Sequence, residues 1–216
     1  MAAKSTAKPA PDETDETPAR QRILDAAFSA FMERGFAETS TLEIATRARV
    51  SKRELYALVG SKQEMLAACI GERAKRLQMP AGLGEPHDRE SLARTLETLG
   101  ARLLREISEP TVVAVFRLAI AEAVRAPEVA RALNSLGVEP SRAALRELMS
   151  RARSAGLLDG EPAEMAEHFA GLLWGNLMMG LLLRPAERPA PREIEQRAKA
   201  AAAGLLQLYA KPGRAS

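Results

Sequence analysis

Three Ser-x-x-Glu boxes follow one another between residues 40 and 64: Ser40 with Glu43, Ser51 with Glu54, and Ser61 with Glu64. In such a box the Ser hydroxyl accepts from an orphan N–H of a helix's first turn, and the Glu reaches back to the N–H of the capping residue. One box is weak evidence. Three, spaced 11 and 10 residues apart, mark three successive helix starts and leave space for only about two helical turns between them. The spacing predicts helices over 41–48 and 52–58 and a longer one from Lys62 to about Leu77. Two short helices joined by a tight turn form a helix-turn-helix.

The rest of the chain has helical periodicity too. Ile23, Leu24, Ala27, Phe28 and Phe31 form one stripe of a first helix that Gly35 ends. A Pro/Gly-rich breaker cluster occupies residues 79–86. Beyond it, helices are predicted over 89–107, 111–125, 127–136, 141–155, 162–183 and 192–210. Ala, Leu, Arg and Glu dominate and aromatics make up only 4%, with no alternating β-branched stretches, so the expected fold class is all-α. The expected organisation is a tail at 1–18, a three-helix unit containing the helix-turn-helix at 19–64, a helical bundle at 65–211, and a short tail at 212–216.

Several function classes are disfavoured. Cys69 is the single cysteine and His87 and His168 are the only histidines, too few for a Cys/His zinc cage, so no metal is expected. There is no Gly-rich phosphate loop, HExxH or GxSxG, so neither an enzyme nor a cofactor is expected. The longest uncharged apolar run, Phe169 to Leu183, has 15 residues, short of the roughly 18 of a membrane span. The first 18 residues lack the apolar stretch of a signal peptide. A cytoplasmic protein with no membrane partner is the expectation.

Charge placement is more informative than its total of +3. Residues 20–76 carry a net charge of +4, against −2 before them and +1 after them. Within that segment Arg47, Arg49, Lys52 and Arg53 are four cations in seven residues with no acid among them. Leu42, Ile44, Ala45 and Ala48 give the second helix an apolar side, Val50 plugs the turn, and Leu55 with part of Tyr56 faces inward from the third. The cations are left outside, around the start of the helix that enters the major groove in a helix-turn-helix.

Residues 20–66 resemble the DNA-binding region of the TetR family of bacterial transcriptional regulators. Arg22-Ile23-Leu24, Gly35-Phe36, Thr39-Ser40, Ile44-Ala45, Val50-Ser51, Leu55-Tyr56 and Ser61-Lys62 carry the resemblance. The runs AEAVRAPEVARALNSLG and RELMSRARSAGLLDGEPAEMAEHFAGLLWG resemble the AefR-like C-terminal type. The resemblance implies that Thr39, Ser40 and Thr41 touch phosphate, and that Ser51, Lys52, Arg53 and Glu54 lie at or in the groove. It implies that Ala57 and Leu58 reach base methyls and that Tyr56 and Lys62 hold phosphates. Arg49 stands where the family usually has Gly, at about 1 kcal/mol if its φ is positive, with an added phosphate contact as compensation. Val59 stands where the family often has Phe.

The family dimerises through its last two helices, and Gly171 and Gly175 would allow another helix to approach closely. His168 and Asn176 read as hydrogen-bonded residues of the core or the dimer seam. The interior candidates for an effector pocket are Leu99, Leu103, Phe116, Ile120, Met149, Trp174 and Met178, which favour a mostly hydrophobic molecule. The expected function is a ligand-responsive, homodimeric repressor that releases a near-palindromic double-stranded DNA operator when a small apolar effector binds. The alternative is a ligand-sensing or scaffolding helical module with a degenerate helix-turn-helix that does not bind DNA.

Overall fold

The computed structural model describes residues 18–74, 86–183 and 187–210, and these residues are helical with no strand. The elements are α1 (Pro18–Arg34), α2 (Thr41–Ala48), α3 (Lys52–Leu58), α4 (Lys62–Ala74), α5 (Arg89–Ile107), α6 (Pro110–Ala121), α7 (Pro127–Leu133), a π-helical turn (Asn134–Val138), α8 (Glu139–Ser154), α9 (Pro162–Trp174), α10 (Leu177–Leu183) and α11 (Pro191–Leu208). The tail expected at 1–18 lies outside the described residues apart from Pro18, which opens α1. The tail at 212–216 and most of the breaker cluster, residues 79–85, also lie outside them.

The caps set the short helices. Ser40 and Ser51 have extended backbones, and each Oγ accepts from the N–H three residues on, Glu43 and Glu54, at 3.1 Å. The third box is reciprocal: Glu64 N–H donates to Ser61 Oγ at 3.2 Å, and Ser61 N–H donates to Glu64 Oε2 at 2.7 Å. That bond and the Ser61 hydroxyl hold the Glu64 carboxyl below the usual carboxylate range. Leu42 departs from expectation. It lies two residues before Ile44, about 200° round the helix, and is exposed, while Ile44, Ala45 and Ala48 are buried.

Two predicted boundaries shift for backbone reasons. The helices expected at 127–136 and 141–155 join through the π-helical turn. Pro140 has no N–H to give the helix ladder, and the preceding Glu139 N–H reaches back five residues to Asn134 O. The single helix expected over 162–183 breaks instead at Gly175, whose φ of 44° and ψ of −129° suit only glycine. The Arg197 guanidinium donates to Trp174 O at 3.3 Å, beside the break. Arg117 donates to the carbonyls of Leu181 and Leu182 at the end of α10.

Two buried clusters result. One joins α5, α8, α9 and α11 around Leu96, Leu104, Leu148, Met149, Phe169 and Leu205. The other joins α1 to α4 around Ile23, Phe31, Ile44, Leu55 and Met65, and takes in Val115, Leu118 and Ala119 of α6 and Val129 of α7. The boundary expected at 64/65 therefore falls inside α4, whose Met65, Leu66, Cys69 and Ile70 are buried with α1. Burial pushes the Cys69 thiol up to about 12, and its Sγ donates to Leu24 O at 3.4 Å. Among the described residues no helix is long and apolar enough to cross a membrane.

Candidate nucleic-acid interface and internal cavity

The turn between α2 and α3 is closed by its own backbone. Arg49 N–H donates to Thr46 O at 3.2 Å and Val50 N–H to Ala45 O at 3.1 Å, satisfying carbonyls at the end of α2. This closure puts Arg49 at φ 56° and ψ 46°, the left-handed conformation that its place in a glycine position implied. Val50 packs against the N-terminal cluster, and Leu55 is fully buried. Leu58, expected to reach a base methyl, is half-buried and packs against the same cluster, so α3 turns only its remaining side chains outward. Arg49, Ser51, Lys52, Arg53, Glu54, Tyr56 and Ala57 are all exposed.

Hydroxyls converge beside the cations. Thr41 Oγ1 and Tyr56 OH are 3.1 Å apart, which ties the start of α2 to the middle of α3. One of the two hydroxyls donates to the other, so the second keeps a proton for an outside acceptor. Ser40 and Ser51 accept from backbone through their oxygens, so their own O–H groups are likewise left for phosphate. Cations, hydroxyls and two capped helix starts on one exposed face can bind a polyanion.

Three expectations change on this face. Thr39 is buried, and its Oγ1 donates inward to Gly35 O at 2.7 Å, also lying 3.1 Å from Ala30 O, so its side chain does not face a phosphate. Lys62 is similar: its Nζ lies 2.9, 3.2 and 3.0 Å from the carbonyls of Phe36, Ala37 and Thr39 and 4.6 Å from the Phe36 ring centroid. An ammonium has three N–H donors, and here each has a carbonyl. Arg47 leaves the cation cluster because its guanidinium pairs with Glu33 at 2.8 Å and Glu43 at 2.7 Å. Arg47 holds the Glu33 carboxyl below its usual range, and Glu33 holds Arg47 above its own. The cations presented outward are Arg49, Lys52 and Arg53.

A cavity of about 270 Å³ lies between α4, α5, α6, α8, α9 and α10. Of the residues expected at an effector pocket, Leu103, Phe116, Trp174 and Met178 line this cavity. Leu99 and Met149 do not: each sits one turn away from a lining residue, Leu103 and Leu145, and is buried in the C-terminal cluster. Ile120, one turn beyond Phe116, has passed out of the wall onto the surface and is 61% exposed. Arg73, Ser141 and Arg142 also line the cavity, and the apolar stripes gave no sign of them.

The residues expected at a dimer seam are on the surface of the single chain. Gly171 is exposed, with no atom within 4 Å of where a Cβ would stand. Gly175 and Asn176 are exposed at the α9–α10 break. His168 is exposed rather than buried, with its Nδ1 2.5 Å from Tyr209 OH.

Residues 23–69 match the bacterial regulatory proteins of the tetR family, and residues 94–211 match the C-terminal domain of AefR-like transcriptional repressors. No curated protein matches the chain. Among solved structures, a TetR-family transcriptional regulator from Mesorhizobium loti is 26% identical, with a TM-score of 0.70 over 90% of this chain and 99% of that one. A TetR regulator from Agrobacterium tumefaciens is 28% identical, with a TM-score of 0.71 over 89% and 95%. The flavonoid-responsive regulator FrrA is 28% identical, with a TM-score of 0.75 over 90% and 98%. A capped helix-turn-helix presenting cations, joined to a helical bundle that by itself matches the AefR-like type over more than half of the chain, places the protein in the TetR family of bacterial transcriptional regulators.

Proposed function

We propose that this regulator is a homodimeric, cytoplasmic repressor that holds a near-palindromic operator and releases it when a small, mostly apolar effector enters the cavity. In this reading residues 19–64 read DNA and residues 65–211 bind effector and form the dimer. Lys52 and Arg53 meet base edges, while Ser40, Thr41, Arg49, Ser51 and Tyr56 hold phosphates. The observation that carries the reading is the α2–α3 corner, where caps, a closed turn and the buried Leu55 leave Arg49, Lys52, Arg53 and Tyr56 on one exposed face.

The cavity supports an apolar effector, since its wall is mainly aliphatic with Phe116 and Trp174. A relative named for its response to flavonoids supports the same class. The exposed flank of α9 and α10, with Gly171, Leu172, Met179 and Leu183, supports a dimer seam there. The effector must bind the DNA-free state more tightly, or it shifts nothing.

Selection of bound sequences from genomic fragments tests the reading. A recurring near-palindrome is expected, with affinity that falls steeply as salt rises. No enrichment and no binding to duplex at low salt would favour the alternative module with a degenerate helix-turn-helix.

A further inference from the structure

The cavity wall carries charge of one sign. Arg73 and Arg142 line it, and no carboxylate does. Arg73 is committed to the protein: its guanidinium stacks 3.4 Å from the Phe28 ring centroid and donates to Cys69 O at 2.8 Å. Ser141 Oγ donates to Gly137 O at 3.1 Å. Arg142 differs. Glu139, the acid three residues before it, is hydrogen-bonded by Arg146 at 2.6 Å and also feels the Arg142 charge, but Arg142 itself makes no hydrogen bond or ion pair among the described residues. Arg142 is exposed and lines both the cavity and the adjoining groove, which Arg146 and Glu167 also line, so the residue sits where the cavity meets the surface.

We infer that the cavity takes a hydrophobic monoanion, with an apolar body between α5, α6 and α9 and a carboxylate held by Arg142 at the mouth. This rests on the reading of the cavity as the effector site and gives that effector its charge. A guanidinium offers a carboxylate two parallel N–H donors, and such charge-assisted bonds are about twice as strong as neutral ones. At the mouth both ions keep part of their hydration, so pairing them carries little of the cost of a fully buried pair. Two guanidiniums disfavour a cation. The volume, about 270 Å³, is just below the roughly 300–1,000 Å³ of drug-sized sites, so it suits one alkyl chain or a small ring system.

The test uses decanoate and its neutral isostere decanamide, with the intact protein, reading Trp174 fluorescence and thermal stability. Decanoate is expected to bind at least tenfold more tightly than decanamide. Arg142→Gln, whose melting temperature without ligand checks its folding, is expected to bring the ratio of the two affinities towards one. Equal binding of the two compounds to the wild type, or a preference that survives Arg142→Gln, overturns the inference while leaving an apolar effector site in place. If neither these nor other apolar compounds bind, the effector site itself is rejected.

Discussion

Lys62 and Arg49 divide two tasks that both cations would share on a simple basic face. Lys62 holds the carbonyls of Phe36, Ala37 and Thr39, so it fixes the turn that leads into α2. Hydrogen bonds to a charged group contribute about 1.5–3 kcal/mol each when they are lost. Water can reach these part-exposed carbonyls once the ammonium is gone, so the three bonds do not add, and Lys62→Ala is expected to lower stability by about 1.5–3 kcal/mol in all, without changing the salt slope of DNA binding by the folded protein. Arg49 is strained and outward-facing. Arg49→Gly relieves roughly 1 kcal/mol of left-handed backbone strain, and is expected to raise the melting temperature while lowering the salt slope by about one unit. Denaturant titration with DNA binding at several salt concentrations checks both variants; a reduced slope in Lys62→Ala, or an unchanged one in Arg49→Gly, exchanges the roles. The caps were legible in the sequence because they are local: Ser and Glu three residues apart meet within one turn. The partners of Lys62 were not, because those carbonyls come from a turn more than 20 residues earlier and are brought there only by tertiary folding. Arg47 was misleading only in part for that reason: Glu33 lies on a different helix, but Glu43, its other partner, stands four residues earlier on α2, a spacing visible in the sequence.

The bounds of α2 and α3 were legible to the residue, because caps and the turn fix both ends of an element two turns long. The α9–α10 break was not. A glycine within an apolar helical pattern is compatible with an unbroken helix, and only the backbone angles of Gly175 distinguish the two. The break changes which substitution tests the seam. A leucine at position 175 would be strained by the backbone whether or not a partner is present. Gly171 is the cleaner position, because a single chain leaves space for a side chain there. Gly171→Leu is expected to fold normally and to lose dimer affinity, since overpacking a close contact costs about 1–3 kcal/mol. Sedimentation across a micromolar dilution series measures it. A dimer of unchanged affinity would move the seam off this part of α9, towards the exposed flank of α11, where Leu208 is 63% exposed.

Across the whole molecule, α6 joins the cavity to the helix-turn-helix. Val112, Val115 and Phe116 line the cavity, and the same helix ends at Glu122, which is only 7% exposed. Glu122 Oε1 accepts from Ala37 N–H at 3.4 Å and lies 2.5 Å from where a Cβ on Gly35 would stand, a space that glycine alone leaves open. Its Oε2 is buried with no hydrogen-bond partner. A carboxylate is thus lodged against the Gly35–Ala37 turn, whose far side is held by Lys62 and leads directly into α2. An effector that displaces α6 acts on that turn without touching DNA. Coupling between two sites is commonly about 1–3 kcal/mol and is reciprocal, so operator must weaken effector binding by the factor by which effector weakens operator binding. Glu122→Ala removes the lodged group. It is expected to bring that factor towards one, while effector binding, read through Trp174, stays within about twofold of wild type because no cavity-lining side chain changes. Titrating the effector with and without operator, in wild type and variant, measures the factor in both directions. Full coupling in Glu122→Ala would mean that the signal leaves the bundle by another route, through α4, whose Ile70 and Arg73 line the cavity while Met65 and Leu66 pack under the helix-turn-helix.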